Sequence, residues 1–210
     1  MGIDKAKDGK LLYHLTSADN LDSILKNGLL SRKLLREKGI GFKDIANTEI
    51  IDKRKMLKLD KYTPFHFHPY TAFDFAIKYN GNPDNMLYIC VSRSFARSKN
   101  FLVLPQHPLS SDECVPLPFD EGMSKIDWNT MMEVGREDSL AKEVKMAESL
   151  TDLVILARDF YCLYVPNEKM KNIVTKKLKE YGIKLDPSDP PYVYIQPAFF
   201  RQSKNVQTAF

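Results

Sequence analysis

"LLYHLTSADNLDSILKNGLLSR", residues 11–32, changes its period part-way along. Residues 10–15, "KLLYHL", form an apolar run that predicts a strand. Beyond it, Asp19 or Ser17 can cap a helix whose apolar positions Leu21, Ile24 and Leu25 fall at helical spacing, and Gly28 ends it. His14 therefore stands at the end of a buried strand, where a helix begins and other chain ends can gather. A histidine among apolar residues is either a core residue with its ring nitrogens satisfied or a ligand at a site. The stretch alone leaves both readings open.

Downstream, residues 31–61 carry ten Lys and Arg, short helical runs and a Gly-x-Gly break at Gly39 and Gly41. This is the most basic part of the chain, and it reads as a solvated helical face or as a phosphate contact surface. "YTPFHFHPY", residues 62–70, alternates aromatic with polar residues in a strand pattern, which puts Phe65 and Phe67 on one face and His66 and His68 on the other. Two histidines suit a metal only with a third ligand, and no Cys or Asp stands nearby at a zinc spacing, so no metal is expected.

"TAFDFAIKY", 71–79, predicts a helix, "MLYICVS", 86–92, a buried strand and "FLVLP", 101–105, another. The stretch 105–126, rich in Pro, Ser, Asp and Gly, reads as a long loop, with a short helix after it in "DWNTMM". Residues 139–150 read as a helix with Ser139 as cap, and "DLVILA" and "FYCLYV" as two strands. Residues 167–182 predict a helix capped by Asn167 and ended by Gly182, and 192–196 a last short strand before a loosely held tail. Without regular βαβ alternation, the class is α+β around a mainly antiparallel sheet. No G-x-G-x-x-G or Walker A loop occurs, so a nucleotide has to be held in another way.

At 210 residues and 43% hydrophobic, the chain suits one large domain and is cramped for two. A net charge of +4 permits a local phosphate-binding patch without demanding one. Cys90, Cys114 and Cys162 are odd in number and widely spaced, which fits neither a disulfide framework nor a C-x-x-C site. "MGIDKAKDGK" lacks the apolar run of a signal peptide, Ala6 stands where a myristoylation motif takes Ser or Thr, and no window reaches a membrane-spanning length. The expectation is a cytoplasmic protein with no membrane partner.

Taken in order, "LYHLT" with "DNLDSILKNGLLSR", then "IANTEIIDKRK", "DKYTPFHFHP" and "KMAESL" before an apolar strand resemble the DarT family of DNA ADP-ribosyltransferase toxins, over most of residues 10–165. The resemblance implies an ADP-ribosyltransferase-like fold, a split and mainly antiparallel β-sheet with surrounding helices, in a single domain over 1–210. The C-terminal helix, strand and tail, 166–210, lie beyond the similar part. It also implies NAD⁺ as the donor of ADP-ribose, with no metal.

Breaking the bond between nicotinamide and its ribose develops positive charge on the sugar, which a partly desolvated carboxylate stabilises. Glu148 matches the family's catalytic glutamate, with Glu143 the nearest alternative in the same run. Arg54 sits at the family's basic position, where a guanidinium can fork onto the NAD⁺ diphosphate or polarise the acceptor base. Lys53 and Lys55 flank it and leave the register open. His14 matches a ribose-binding histidine, and Thr16 and Asn20 either add polar contacts there or only start the helix. Phe65, Phe67 or Tyr70 can stack on nicotinamide or on a base, or pack the core.

DarT-like enzymes are similar in modifying thymine or guanine of single-stranded DNA and in being restrained by a macrodomain antitoxin, DarG. Single-stranded DNA and DarG are thus the expected partners of a monomeric toxin. Lys43, Lys53, Lys55, Arg93, Arg97 and Lys99 are expected as phosphate contacts on charge alone. The alternatives are transfer to RNA or protein, or a nucleic-acid-binding module without catalysis.

Overall fold

The computed structural model describes residues 2–108 and 115–201. Cys114, part of the expected 105–126 loop and nearly all of the tail lie outside the described residues.

β1 (Leu11–Ser17) organises the sheet. It pairs antiparallel with β2 (Thr63–His66) and with β3 (Met86–Ser92), but the two ladders differ greatly in extent. With β3 the register runs unbroken from Leu11↔Ser92 to Ser17↔Met86, whereas with β2 it consists of Tyr13↔His66 alone. β4 (Leu102–Leu104), β5 (Leu117–Pro118) and β6 (Glu148–Thr151) extend the β2 side, and β7 (Cys162–Val165) and β8 (Tyr192–Ile195) extend the β3 side. The order is β5-β4-β6-β2-β1-β3-β7-β8, antiparallel except between β7 and β8.

Two half-sheets thus share one residue pair, and the expected split is this seam. Pro64 helps to open it: without an N–H it cannot complete a ladder pair toward β1. Its carbonyl is taken instead by the His14 ring, whose Nδ1 lies 2.8 Å away.

Both faces of the β3 half are covered, which is why "MLYICVS" reads as an unbroken apolar run. Leu87, Ile89 and Val91 enter the main core, while Met86, Tyr88 and Cys90 enter a second cluster with Tyr13, Leu15, Cys162, Phe199 and Phe200. α9 (Glu168–Glu180) closes the main core with Met170, Val174 and Leu178, spaced four residues apart on one face.

Several elements depart from their sequence expectation. β1 runs on to Ser17 because β3 offers partners as far as Met86, and Ser17 then caps a single turn before α1 (Leu21–Asn27). Gly28 ends α1 at φ 84, where a Cβ would also lie 2.5 Å from Val154, so both backbone and packing require glycine. The basic segment supplies α2 (Arg32–Glu37) and α3 (Thr48–Met56). The strand expected over 62–70 stops at His66, and the next helix, α4 (Ala72–Asn80), starts from a Thr71–Asp74 capping box.

The short helix α5 (Arg93–Ser98) follows β3, and the stretch read as a loop contains α6 (Phe119–Lys125). "DWNTMM" gives α7 (Trp128–Met132). The helix expected to reach 150 ends early, as α8 (Ser139–Lys145), because Glu148–Thr151 is a central strand paired with β2 on one side and β4 on the other. "DLVILA" makes only an isolated bridge, Leu29↔Ile155, with Leu153 and Val154 left exposed.

Candidate active site

The seam between the half-sheets is the floor of a cleft of about 1120 Å³, walled by α1, α2, α3 and the segment 42–46. Glu148 enters from the first position of β6, its Cα opposite His66 of β2 and Leu104 of β4. Arg54 enters from α3, a helix with no apolar stripe, which is fixed at its start by the Asn47 side chain accepting from the Ile50 N–H. Ile50 and Arg54, one turn apart, face the cleft together.

Arg54 and Glu148 are both buried, at 4% and 3% exposure, and form an ion pair. Arg54 Nη1 donates to both carboxylate oxygens, at 2.8 and 2.9 Å. Burial by itself raises the Glu148 pKa, but the adjacent guanidinium, with its hydrogen bonds, and the nearby His66 and His107 outweigh it and leave the carboxyl below its ordinary value. The carboxylate is therefore ionised in the neutral range. Arg54 Nε and Nη2 have no hydrogen-bond partner among the described residues, so two buried donors remain for a ligand.

Three histidines surround this pair. His14 gives Nδ1 to the Pro64 carbonyl and rests against the Phe65 ring, 5.6 Å between centroids. Burial, working against that hydrogen bond, pushes its pKa down to about 4. The ring is thus neutral with its proton on Nδ1, which leaves Nε2 as an acceptor. His66 Nδ1 lies 3.1 Å from the carbonyl of Ala147, the residue before Glu148. His107 also lines the cleft, its backbone N–H donating to Glu143 at 2.8 Å, and burial lowers its pKa. Among the described residues no group of three or more His, Cys, Asp or Glu is placed to hold a metal ion.

The outer wall is tied to β1 by side-chain hydrogen bonds. Asn20 donates to Thr16 Oγ1 at 3.1 Å and to the Lys43 carbonyl at 2.9 Å, and accepts from the Lys43 N–H at 2.7 Å. Arg32 forks onto Asp44, at 2.6 and 2.8 Å, and although burial raises the Asp44 pKa, this fork brings it below the ordinary value. Thr16, Asn20 and Lys43 therefore line the cleft, with the hydrogen bonds among them spent on holding its wall. The Lys43 ammonium pairs with Asp19 at 2.7 Å.

Other residues singled out in the sequence lie elsewhere. Phe65 and Phe67 face away from His66 as alternation requires, and both are buried in the main core, so neither ring is open to a ligand. Tyr70 belongs to the second cluster, against His68 and Phe199. Arg93 is a correction: its guanidinium donates to the carbonyls of Ala6 and Lys7 at 2.7 and 2.9 Å and stacks on Phe67 and Trp128, which makes it an internal tie and not a phosphate contact. Arg97 pairs with Asp120, and Lys99 lies over Phe95, both around α5 and outside the cleft lining. Lys55 is exposed on α3 outside the cleft lining, and Lys53 is half-buried on the same helix. Glu143, the alternative to Glu148, is half-buried on α8 outside the cleft lining and accepts from Ser139.

His66, His107, Arg32 and Asp44 were not expected as cleft residues. His66 carried a signal, since strand alternation sets it opposite Phe65; the others reach the cleft only through tertiary packing.

Comparison with known proteins agrees with this fold. The family described as "ssDNA thymidine ADP-ribosyltransferase, DarT" matches residues 13–195. A DNA ADP-ribosyl transferase–DNA ADP-ribosyl glycohydrolase fusion protein of Thermosipho africanus (strain H17ap60334) is 22% identical over 203 residues, 93% of this chain and 52% of that protein. The chain thus spans about half the length of this curated relative. Thermus sp. 2.9 DarT in complex with ADP-ribosylated ssDNA superposes with a TM-score of 0.76 at 19% identity, covering 92% of this chain and 97% of that one. Its complex with NAD⁺ gives 0.73 at 20% identity, covering 91% and 98%. With a family match over most of its length and the same fold, the chain belongs to the DarT family.

Proposed function

We propose that the chain is an NAD⁺-dependent transferase that attaches ADP-ribose to thymine in single-stranded DNA, as a toxin restrained by a macrodomain glycohydrolase. The observation that carries this reading is the buried Arg54–Glu148 pair on the cleft floor, with two guanidinium donors still unpartnered. The donor is supported by relatives solved with NAD⁺ and carba-NAD⁺, and the acceptor by the thymidine in the family description. The restraining partner is supported by the glycohydrolase fused to the Thermosipho relative. The protein acts as a single domain and a monomer in the cytoplasm; no helix among the described residues is long and apolar enough to cross a membrane.

His14 accepts a ribose hydroxyl at Nε2, since Nδ1 is committed to Pro64. Arg54 turns Nε and Nη2 to the NAD⁺ diphosphate or to a carbonyl of the acceptor base, and holds Glu148 ionised. As the ribose C1′–nitrogen bond breaks, its electron pair leaves with nicotinamide, and the Glu148 carboxylate stabilises the positive charge on the sugar. The thymine ring nitrogen bonds to C1′ and passes its proton to Glu148. Thr16 and Asn20 keep the wall in place.

Adenylate-labelled NAD⁺ offered with single-stranded DNA, duplex DNA, RNA and protein separates the readings. Label on thymine-containing single strands is expected. Label confined to guanine, RNA or protein moves the acceptor, and oligonucleotide binding without any label reduces the chain to a binding module.

A further inference from the structure

The basic segment has a second side. On α2, Arg32 and Leu35 line the cleft, while Lys33 and Arg36, each one residue on and so about 100° around the helix, line a neighbouring groove. The same offset recurs on α3, where Arg54 faces the cleft and Lys55 the groove. In the non-helical turn that follows, neighbouring residues again divide between the two, Tyr62 lining the cleft and Lys61 the groove, with Lys61 Nζ 4.9 Å from the Tyr62 ring centroid. Cleft and groove are two sides of the same three segments.

The groove holds five cations against two carboxylates. Arg36 is paired with Asp60, and Lys33 lies 3.8 Å from Glu37. Lys55, Lys58 and Lys61 are exposed and have no carboxylate partner among the described residues. Their backbone is nevertheless fixed: the Leu59 N–H donates to Arg54 at 2.8 Å, the Lys58 N–H to Lys55 at 3.0 Å and the Lys33 N–H to Asp60 at 3.0 Å. Lys58 sits at φ 56, a left-handed conformation that few lysines adopt. The end of α3 and the turn after it, with their backbone fixed, therefore present three lysines without carboxylate partners beside the cleft.

We propose that this groove, about 930 Å³ in volume, binds the phosphates of the DNA strand flanking the base that enters the cleft. The proposal rests on the transferase reading and assigns the strand's path to Lys55, Lys58 and Lys61. Separate ammonium groups along a shallow exposed groove suit a run of phosphates, whereas a single compact anion calls for converging forks.

The test is binding of a fluorescent single-stranded oligonucleotide, by anisotropy, across a salt series without NAD⁺. The groove variant Lys55→Gln/Lys58→Asn/Lys61→Gln is compared with Lys169→Gln/Lys176→Gln/Lys179→Gln on the exposed side of α9, which removes equal charge. Asparagine tolerates the left-handed conformation, so the turn is kept. The groove variant is expected to lower the slope of log affinity against log salt by about 2, from roughly 0.7 per phosphate contact. The α9 variant is expected to keep the wild-type slope. An unchanged slope in the groove variant, or an equal fall in the α9 variant, overturns the proposal while wild-type transfer to DNA leaves the transferase reading standing. Absence of both binding and transfer in the wild type overturns the two together.

Discussion

Arg54 on α3 and Glu148 on β6, 94 residues apart in the chain, are joined through one guanidinium nitrogen that donates to both carboxylate oxygens. The pair bridges a surface helix to the central seam, so it serves the fold as well as the chemistry. Removing one partner leaves a buried uncompensated charge, which costs on the order of 3–5 kcal/mol. Arg54→Ala and Glu148→Ala are each expected to destabilise by about that much in urea unfolding, and to lower transfer by roughly 100-fold or more. The double variant Arg54→Met/Glu148→Leu is expected to recover most of the stability and none of the activity. Recovery of neither means the pair is not what holds α3 on the sheet.

Acid should weaken the fold well before ordinary carboxylates titrate. Burial holds His14 at about 4 and His68 at about 3, against an ordinary 6.5. The unfolded chain takes up both protons as pH falls through about 6.5, while the folded chain does not, so stability is full above that value and declines below it. Glu148 adds to this at lower pH, since its depressed pKa gives stability that is lost as the carboxylate protonates. Unfolding free energies at pH 7.5 and 5.0 are expected to differ, with His68→Phe reducing the difference. Equal values at both pH settings contradict buried neutral rings.

Asn20 acts on the cleft through the wall it holds. Asn20→Ala removes the hydrogen bonds to Thr16 and to both backbone groups of Lys43. The expected result is a loss of about 1–3 kcal/mol of stability, with a higher KM for NAD⁺ and a smaller change in kcat. A fall in kcat at unchanged KM would place Asn20 nearer the reacting atoms.

Arg93 separates charge from function. Its donors go to main-chain carbonyls and its plane to Phe67 and Trp128. Arg93→Ala is expected to lower the melting temperature, since it removes hydrogen bonds to main-chain carbonyls worth about 0.5–1.5 kcal/mol each together with the stack on Phe67 and Trp128. Oligonucleotide affinity of the folded variant should be unchanged. Weakened binding at unaltered stability contradicts the internal role.

Much of the sheet was legible because local pattern and tertiary context agree. The apolar run 86–92 forms β3, and alternation in 62–70 correctly separates Phe65 and Phe67 from His66. Legibility failed where a short element takes its form from its neighbours. Glu148 closes a helical-looking run, yet the four residues from Glu148 become a strand because β2 and β4 both pair with them. Arg93 looks like any basic residue after a strand, since its acceptors, Ala6 and Lys7, lie far away in the chain. His107 and Asp44 carry no local sign that they will face Glu148 and Arg32.

The most direct test of the cleft as a site of ADP-ribose transfer is tandem mass spectrometry of a thymine-containing single-stranded oligonucleotide after incubation with NAD⁺ and either wild-type protein or Glu148→Gln. The account predicts one ADP-ribose on thymine with the wild type and none with Glu148→Gln, although that variant still folds and binds NAD⁺. An unmodified oligonucleotide with the wild type, or equal modification by Glu148→Gln, contradicts it.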